Sequence, residues 1–380
     1  MKIGIIGGSI AGCFSSVELM RLGHEVTIFE RSNTPLEDRG IGFAMTQGIV
    51  DDCIWRNLLD HDVPQIMINQ LNVIVKDDVC DKIEGRCLNV NPLSAVGFSW
   101  DHLYAQIAKR CSNYRFGSEV TDLLALEQDT RLQINYTDWL AFDLVIACDG
   151  FHSFARSYVT NHYQPHFLGY IVWRGVTTLQ KQNQQKFTQN GSFQYLCPQG
   201  HFVAHPIPSK LNDTNKTPRI NWLFYETMHS IGKHPDERLH IEALANLYLP
   251  KTCLELIAQT SSISMEVVRD FNLKNYVNDR LIILGDSAAS QPPVTGSGAG
   301  KAIQSAIELA KCLGSSSDID SALKNWEALQ KQRNTALFEM GRTLSKALIT
   351  DPPDWSHMSK ESYLELRQKI YGSAMTYHKM

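Results

Sequence analysis

The sequence predicts an α/β fold in which a parallel sheet is interrupted by a largely antiparallel sheet and followed by helices. Residues 2–31 have the order apolar strand, glycine-rich turn, helix and second apolar strand, which is typical of a βαβ unit. Residues 169–270 instead alternate β-branched or aromatic residues with polar ones between Gly, Pro and Asn turns, which indicates antiparallel strands. From Arg280 the strand–helix order returns, and a helical pattern runs from Gly298 to the end, broken at residues 351–353.

Composition and charge argue against several classes of function. The 380 residues include 36 Lys and Arg against 40 Asp and Glu, a net charge of −4, so no basic surface for nucleic acid is expected. No apolar run approaches the roughly 20 residues of a membrane helix, so no membrane span is expected. The nine cysteines are scattered without a C-x-x-C pair, which argues against a disulfide framework or a metal site and favours the cytoplasm. The oligomeric state stays open, with a homodimer as one option.

The first βαβ unit carries the residues expected of a dinucleotide-binding turn. Residues 7–12 read G-G-S-I-A-G, and the second strand ends on Glu30. Phosphates can bind at the N-terminus of the helix that follows, where free N–H groups and the helix dipole favour negative charge. Glu30 is expected to accept hydrogen bonds from ribose hydroxyls, and Arg31 could cover the adenine. Ser9 takes the place of the usual middle glycine, and its hydroxyl can donate to a phosphate.

Together with this glycine-rich turn, two later segments form a three-part fingerprint. Residues 149–156 read D-G-F-H-S-F-A-R after a buried apolar strand, and residues 285–298 contain G-D followed by P-x-x-G-x-G. In this order the three segments resemble the class A flavoprotein monooxygenases of the para-hydroxybenzoate hydroxylase type, over nearly the whole chain. Within that family, residues 99–101, 170–176 and 206–208 are most similar to the 2,6-dihydroxypyridine 3-hydroxylase branch.

The resemblance implies a Rossmann-like FAD-binding domain with a parallel sheet, an inserted antiparallel β substrate domain and C-terminal helices. It also implies hydroxylation of a small electron-rich aromatic or N-heterocyclic substrate, using NADH or NADPH and O2 through a C4a-hydroperoxyflavin. Another FAD-dependent activity (epoxidase, reductase or antibiotic-modifying monooxygenase) is the alternative, because fold alone does not determine function. The expected units are a discontinuous FAD-binding domain (residues 1–70, 91–168 and 271–350), a substrate sheet (71–90 and 169–270) and a helical tail (351–380).

The resemblance further implies which residues hold FAD. Asp286 ends a buried apolar strand and is expected to contact the ribityl or pyrophosphate part, since a buried acid needs a partner. Residues 296–300 should open a helix whose positive end favours the negative charge of reduced flavin. Arg156 either organises the D-G region or pairs with Asp149 or Asp286. The expected FAD-binding residues are Gly7, Ser9, Ile10, Ala11, Gly12, Glu30, Arg31, Gly42, Phe43, Asp149, Arg156, Asp286, Pro293, Gly296 and Gly298.

Four residues of the inserted sheet are candidates for the substrate site. Trp173 and Trp222 could form an aromatic wall that excludes water from the reaction. His205 could help to remove a phenolic proton, and Tyr225 is the second catalytic candidate. Packing in the core of the sheet is the alternative for each of them.

Two positions depart from the pattern of the family. Ala289 stands where many members have His, and Trp100 begins a helix where many members have Arg. The flavin contacts of those side chains must therefore come from other residues. Asp101 and His102 are candidates, with helix capping as the alternative.

Overall fold

A computed structural model describes residues 1–36, 41–76, 84–160, 163–178, 186–189, 191–228 and 236–371. Its strands are β1 (Lys2–Ile6), β2 (Glu25–Phe29), β3 (Gly42–Thr46), β4 (Ile66–Val75), β5 (Arg86–Ser99), β6 (Tyr114–Arg115), β7 (Val120–Ala125), β8 (Thr130–Ile134), β9 (Asp138–Phe142), β10 (Leu144–Ala147), β11 (His166–Thr177), β12 (Ser192–Cys197), β13 (Gly200–Ile207), β14 (Arg219–Thr227), β15 (Ile263–Asn272), β16 (Val277–Asn278), β17 (Leu281–Ile283) and β18 (Ala289–Ser290). The helices used below are α1 (Ile10–Arg21), α2 (Gln47–Trp55), α3 (Trp100–Ala108), α4 (Arg156–Val159), α5 (Glu237–Tyr248), α6 (Lys251–Ala258), α7 (Gly298–Ser315), α8 (Ile319–Ser345) and α9 (Lys360–Tyr371).

A mostly parallel sheet has the N-terminal βαβ unit at its centre. In the described residues its strand order is β16-β17-β10-β1-β2-β6, and every neighbouring pair except β16–β17 is parallel. Helices α1 and α7 pack together on this unit, while Phe142 of the three-stranded sheet β7–β8–β9 approaches Gly4 of β1. The carboxyl ends of β1, β2 and β10 meet at one edge, which is where ligands bind in open α/β sheets.

The second large sheet has nine strands among the described residues, in the order β18-β15-β11-β14-β13-β12-β4-β5-β3. Alternate side chains of its central strands face opposite sides. One side, here called the outer face, packs on α5 and α6 and presents Trp173, Phe202, Trp222 and Phe224. The other side, here called the inner face, packs on residues 344–349 and on Val294 and presents Tyr170, Val172, Val203, Leu223 and Tyr225.

The structure agrees with the predicted α/β architecture. The helix predicted at residue 99 and the helical C-terminal region are present, but α5 and α6 lie within residues 169–270, where the pattern predicted antiparallel strands. The unit boundaries remain a prediction. Residues 42–46, 66–70 and 91–99, which were assigned to the FAD-binding domain, form parts of β3, β4 and β5 in the nine-stranded sheet. Residues 372–380 of the predicted tail lie outside the described residues. Within the described ranges, no helix combines the length and the apolar character needed to cross a membrane.

Candidate active site

Glycines in the first βα turn let the main chain pack more closely than side chains would permit. Gly7 has a φ of +92°, and a Cβ on it would lie 2.6 Å from the Cys148 carbonyl oxygen. A Cβ on Gly12 would lie 2.0 Å from the Gly7 carbonyl oxygen. At Gly8, whose role sequence reasoning missed, a Cβ would clash with the Tyr114 hydroxyl, which donates to the Gly8 carbonyl oxygen at 2.7 Å. The turn therefore excludes a Cβ at three positions.

A cleft of about 430 Å³ begins at this turn, a size suited to a small ligand. Ser9 and Glu30 border it, and Ile10 and Ala11 follow as the first residues of α1. Glu30 is buried, and its two carboxylate oxygens accept the N–H groups of Gly8 and Ser32, each at 2.9 Å. These bonds orient the carboxylate, which keeps lone pairs for ligand hydroxyls.

Arg31 and three aromatic side chains from later in the chain also border the cleft. Arg31 borders the cleft and is exposed, which leaves it able to cover a ligand. Trp100, His152 and Phe154 also line the cleft, and sequence reasoning did not select these side chains as ligand contacts. Trp100 stacks on Tyr104 with ring centroids 4.9 Å apart. The three aromatic rings provide apolar surface for a ligand ring.

An unsatisfied buried oxygen marks the polar wall of the cleft. Asp149 Oδ2 accepts the Ala155 N–H at 3.2 Å, whereas the buried Oδ1 has no hydrogen-bond partner among the described residues. A buried carboxylate oxygen without a donor is costly. A hydroxyl of a bound nucleotide sugar would satisfy it, so the arrangement fits such a ligand.

Arg156 connects the two later segments of the fingerprint through their main chains. Its buried guanidinium donates to the carbonyl oxygens of Ser287 and Phe151, both at 2.8 Å, and its centre lies over the rings of Tyr163 and Phe271 at 4.1 and 4.4 Å. Burial lowers its pKa. Among the described residues it makes no ion pair with a carboxylate, so the pairing alternative is not supported. These hydrogen bonds link the D-G segment to the Asp286 turn, and a contact of Arg156 with FAD remains a prediction.

Asp286 is more exposed than the sequence predicts. Strand β17 is buried, but the chain turns at Gly285 (φ +76°), and 54% of the Asp286 side chain is exposed. Lys301 of α7 lies beneath it with its Nζ 3.0 Å from Asp286 Oδ1. A Cβ on Gly285 would lie 3.3 Å from the Ala11 Cβ. The Asp286 turn therefore adjoins the first turn of α1.

The segment before α7 leaves open space at its glycines. Pro293 starts a single 3₁₀ turn, and Gly296 follows with a φ of +63°. A Cβ on Gly296 or on Gly298 would meet no atom within 4 Å. Ser297 precedes α7 without a side-chain cap, so the first N–H groups of this helix are available to an anionic group. A flat ring system can approach the main chain here.

A short hydrogen-bonded chain links β3 to the inner face. The Gly42 N–H donates to Asn221 Oδ1 at 3.0 Å, and Asn221 Nδ2 lies 3.4 Å from His205 Nε2. Because the carbonyl end of the amide faces Gly42, Nδ2 is the donor and His205 Nε2 accepts. The proton of the neutral imidazole is then on Nδ1. Phe43, the next residue, stacks on Phe98 at 6.1 Å.

The protonation of the two catalytic candidates argues against a role as base. Burial lowers the pKa of His205 to about 4 and raises the pKa of Tyr225 to about 12, with the Arg174 charge opposing the rise. Both side chains are therefore neutral at pH 7, and His205 is a weak proton acceptor. His201 stacks on Tyr225 with ring centroids 4.6 Å apart.

Trp173 and Trp222 lie on the outer face and are fully buried. Trp173 Nε1 donates to Glu226 Oε2 at 2.7 Å, and Trp222 Nε1 donates to Thr260 Oγ1 at 2.8 Å. This placement corrects the predicted aromatic wall, because both rings pack on α5 and α6 and face away from the side that holds Tyr225. Their indoles stabilise the core of the sheet.

Asp101 and His102 at the start of α3 are also buried. His102 Nε2 donates to the Ser209 carbonyl oxygen at 3.0 Å, and burial lowers its pKa. This bond ties α3 to the loop after β13, which is a structural role different from the helix capping given as the alternative for His102.

We expect the protein to lose stability in mild acid through its buried imidazoles. Burial lowers the pKa of His201 to about 3 and that of His205 to about 4, against an ordinary value of 6.5. Between pH about 6.5 and 4 the unfolded chain binds more protons, so the free energy of unfolding falls as the pH falls. Denaturant unfolding across this range measures the slope. His201→Gln with His205→Gln should flatten it, whereas exposed His61→Gln should not; equal slopes in all three proteins would contradict the prediction.

Comparison with known proteins identifies the family and the fold of this chain. Residues 101–324 match the family model described as an FAD binding domain. The chain is 25% identical to 2,6-dihydroxypyridine 3-monooxygenase of Paenarthrobacter nicotinovorans over 376 residues, which covers 91% of each chain. It is 26% identical to salicylate hydroxylase of Pseudomonas putida over 212 residues, or 50% of this chain and 47% of that protein. The solved 2,6-dihydroxypyridine-3-hydroxylase from Arthrobacter nicotinovorans has the same fold, with a TM-score of 0.81 at 21% identity and coverage of 94% and 96%.

The chain therefore belongs to the FAD-binding-domain family, as the fingerprint predicts. It is an FAD-dependent monooxygenase, a class for which NADH or NADPH is the usual electron donor. The glycine turn, the Glu30 carboxylate, the open Asp149 oxygen and the space at Gly296 fit FAD. These predictions of fold, family and cofactor are confirmed, whereas the individual contacts to FAD remain predictions.

Proposed function

We propose that this enzyme hydroxylates a small electron-rich aromatic or N-heterocyclic ring, with NADH or NADPH and O2 as co-substrates. The observation that carries the proposal is the partial exposure of a few side chains on the inner face of the nine-stranded sheet. Arg174, Val203 and Leu223 are partly exposed in the middle of strands whose other residues are mostly buried. Val294 of the P-x-x-G segment is partly exposed and packs against the same cluster. These side chains support a substrate space between the sheet and the segment expected to face the flavin.

Each part of the chain has a separate task in this proposal. When bound, FAD would supply hydride acceptance from NAD(P)H and the activation of O2, one atom of which goes to the ring and the other to water. Glu30 and Asp149 bind hydroxyls at the nucleotide end of FAD. Asp286 binds the ribityl or pyrophosphate part of FAD near the start of α7. Apolar Leu223 and Val294 exclude water from the substrate space, which protects a reactive oxygen species from side reactions.

His205 is proposed to orient the ring. Its Nε2 accepts from Asn221, so its Nδ1–H remains a donor for a ring oxygen. Asn221 is fixed in turn by the Gly42 N–H. The ring hydroxyl thus meets a neutral N–H donor. The tautomer of this imidazole is set by the Asn221 side chain, which the Gly42 main chain orients.

Two relatives support the substrate class by their names. One acts on 2,6-dihydroxypyridine and the other on salicylate. Both molecules are single rings that carry hydroxyl groups. A substrate of comparable size is therefore proposed for this enzyme.

The test is turnover by the purified holoenzyme. 2,6-Dihydroxypyridine, salicylate or a simple phenol should accelerate NADH or NADPH oxidation, and the product mass should rise by one oxygen. His205→Asn should lower kcat/KM by about tenfold through loss of one hydrogen bond, with FAD content unchanged. Wild-type oxidation without oxygenated ring product would refute hydroxylation, and an epoxide or a reduced product would favour the alternative activities.

A further inference from the structure

A cation on the inner face has unused hydrogen-bonding capacity. Arg174 Nη2 pairs with Glu266 Oε2 at 3.1 Å, but the buried Arg174 Nε has no hydrogen-bond partner among the described residues. Of the Glu266 side chain 65% is exposed, against 26% for Arg174, so solvent weakens this pair. A guanidinium has five N–H donors, and two of them can bind one oxyanion group side by side. Arg174 can therefore accept a second, better-shielded anion.

The strand register places Arg174 beside the proposed substrate space. Arg174 lies opposite Leu223, and Leu223 lies opposite Val203, so all three side chains share one row of the inner face. His205 lies opposite Asn221 in the next row of that face. With ordinary strand spacings, the Cα atoms of Arg174 and His205 are about 12 Å apart. This Cα separation is comparable to the span of one substituted aromatic ring.

Arg174 has a weaker partner than the other charged pair near it on the inner face. Asp270, the other carboxylate of β15 on this face, is fully buried and accepts two hydrogen bonds from Arg342, at 2.8 and 3.0 Å. Tyr225 and His205 are neutral at pH 7. The positive charge of Arg174 is therefore balanced by exposed Glu266, which an incoming anion can replace.

We infer that Arg174 forms an anion-binding subsite for a carboxylate or an ionised hydroxyl on the substrate ring. Glu266 is its exposed counter-ion in the free enzyme, and His205 contacts the far side of the ring. The inference rests on the proposed function, since it specifies the substrate of the same site. Where the bound group is the ionised hydroxyl, it also accounts for the absence of a tuned base among the two catalytic candidates, because a phenolate needs no proton removed.

Ligand binding to the oxidised holoenzyme tests this inference without turnover. Two probe pairs are titrated while the visible flavin spectrum is recorded. Benzoate is compared with benzamide, and pentafluorophenol, which is ionised at neutral pH, is compared with phenol. We expect the anion of at least one pair to bind about tenfold more tightly than its neutral partner. The first pair reports a carboxylate subsite, and the second reports an oxyanion subsite.

Two variants separate anion binding from a structural role. Arg174→Gln should lose about tenfold in affinity for the preferred anion and keep the affinity for the neutral partner within about twofold. Glu266→Gln, at an exposed side chain, should bind the anion roughly threefold more tightly, because the competing carboxylate is gone. A purely structural role for Arg174 would not produce that gain.

The outcomes distinguish this inference from the proposed function. Equal binding within both pairs, no spectral change with any probe, or an unchanged anion preference in Arg174→Gln would overturn the subsite. A Glu266→Gln enzyme that binds the anion no better than wild type would also count against it. Hydroxylation of a neutral ring by an enzyme without anion preference would leave the proposed function standing and remove the subsite.

Discussion

Lys301→Met is expected to raise the Kd for FAD by roughly ten- to a hundredfold, the loss of about 1.5–3 kcal/mol for hydrogen bonds to a charged group. The Lys301 side chain is 1% exposed, and its ammonium donates to the carbonyl oxygens of Gly285 and Ala289 and to Asp286 Oδ1. These acceptors span the whole turn that follows β17. Methionine fills a similar volume but supplies no donor, so the turn loses its shape and Asp286 loses its partner. Lys301 is thus a positioning residue for the flavin site.

Fluorescence titration of the apoprotein with FAD measures this effect without any substrate. Lys311→Met is the matched control, because Lys311 lies on the same helix α7 but is exposed. The control should keep the wild-type Kd. If Lys301→Met also keeps it, the Asp286 turn does not depend on the buried ammonium. A thermal melt of both apoproteins shows whether the fold survives the change.

Local spacing predicted that three separate segments of the chain would meet at one edge of the parallel sheet. The turn at residues 7–12, the acid at Glu30 and the loop at Asp149 each follow a buried strand of the parallel sheet. Because the carboxyl ends of such strands share one edge, a pattern within each short segment is enough to bring them together. The cleft bordered by Ser9, Glu30 and Asp149 is the result.

Strand alternation could have prevented the error over the tryptophans. Trp222 and Tyr225 are three residues apart on β14, so their side chains must face opposite sides of the sheet. Trp173 lies opposite Phe224 and shares the outer face with Trp222. A pocket that contains Tyr225 therefore excludes both indoles. Aromatic character alone indicated burial, whereas the alternation along the strand decides on which face of the sheet each ring lies.

Contacts between distant segments were beyond the reach of the sequence. Lys301 meets Asp286 because α7 folds back over the turn, and Asn221 meets Gly42 across 179 positions of chain. No local period or motif encodes either pair. The exposure of Asp286 was missed for a related reason, since its strand is buried but the left-handed turn at Gly285 directs the chain outward.

Gly12→Ala is expected to abolish tight FAD binding and to lower the free energy of unfolding by about 1–3 kcal/mol through overpacking. The new Cβ on α1 would lie 2.0 Å from the Gly7 carbonyl oxygen, which is a main-chain atom of the tight turn before that helix. Neither can move unless α1 shifts away from β1, which would displace the N–H groups expected to bind the pyrophosphate. The expected sign is opposite to the usual effect of alanine in a helix, which stabilises by roughly 0.5–1 kcal/mol.

Gly48→Ala supplies the control for this change. Gly48 lies in α2, is exposed, and a Cβ there would meet no atom within 4 Å. Melting temperatures of wild type, Gly12→Ala and Gly48→Ala, each measured with and without added FAD, compare the two positions. Gly48→Ala should melt at or above the wild-type temperature and keep the rise caused by FAD, whereas Gly12→Ala should melt lower and lose that rise. A Gly12→Ala protein that retains the FAD-induced rise would mean that the turn opens at little cost and that the close packing of α1 on β1 is not what holds the phosphates in place.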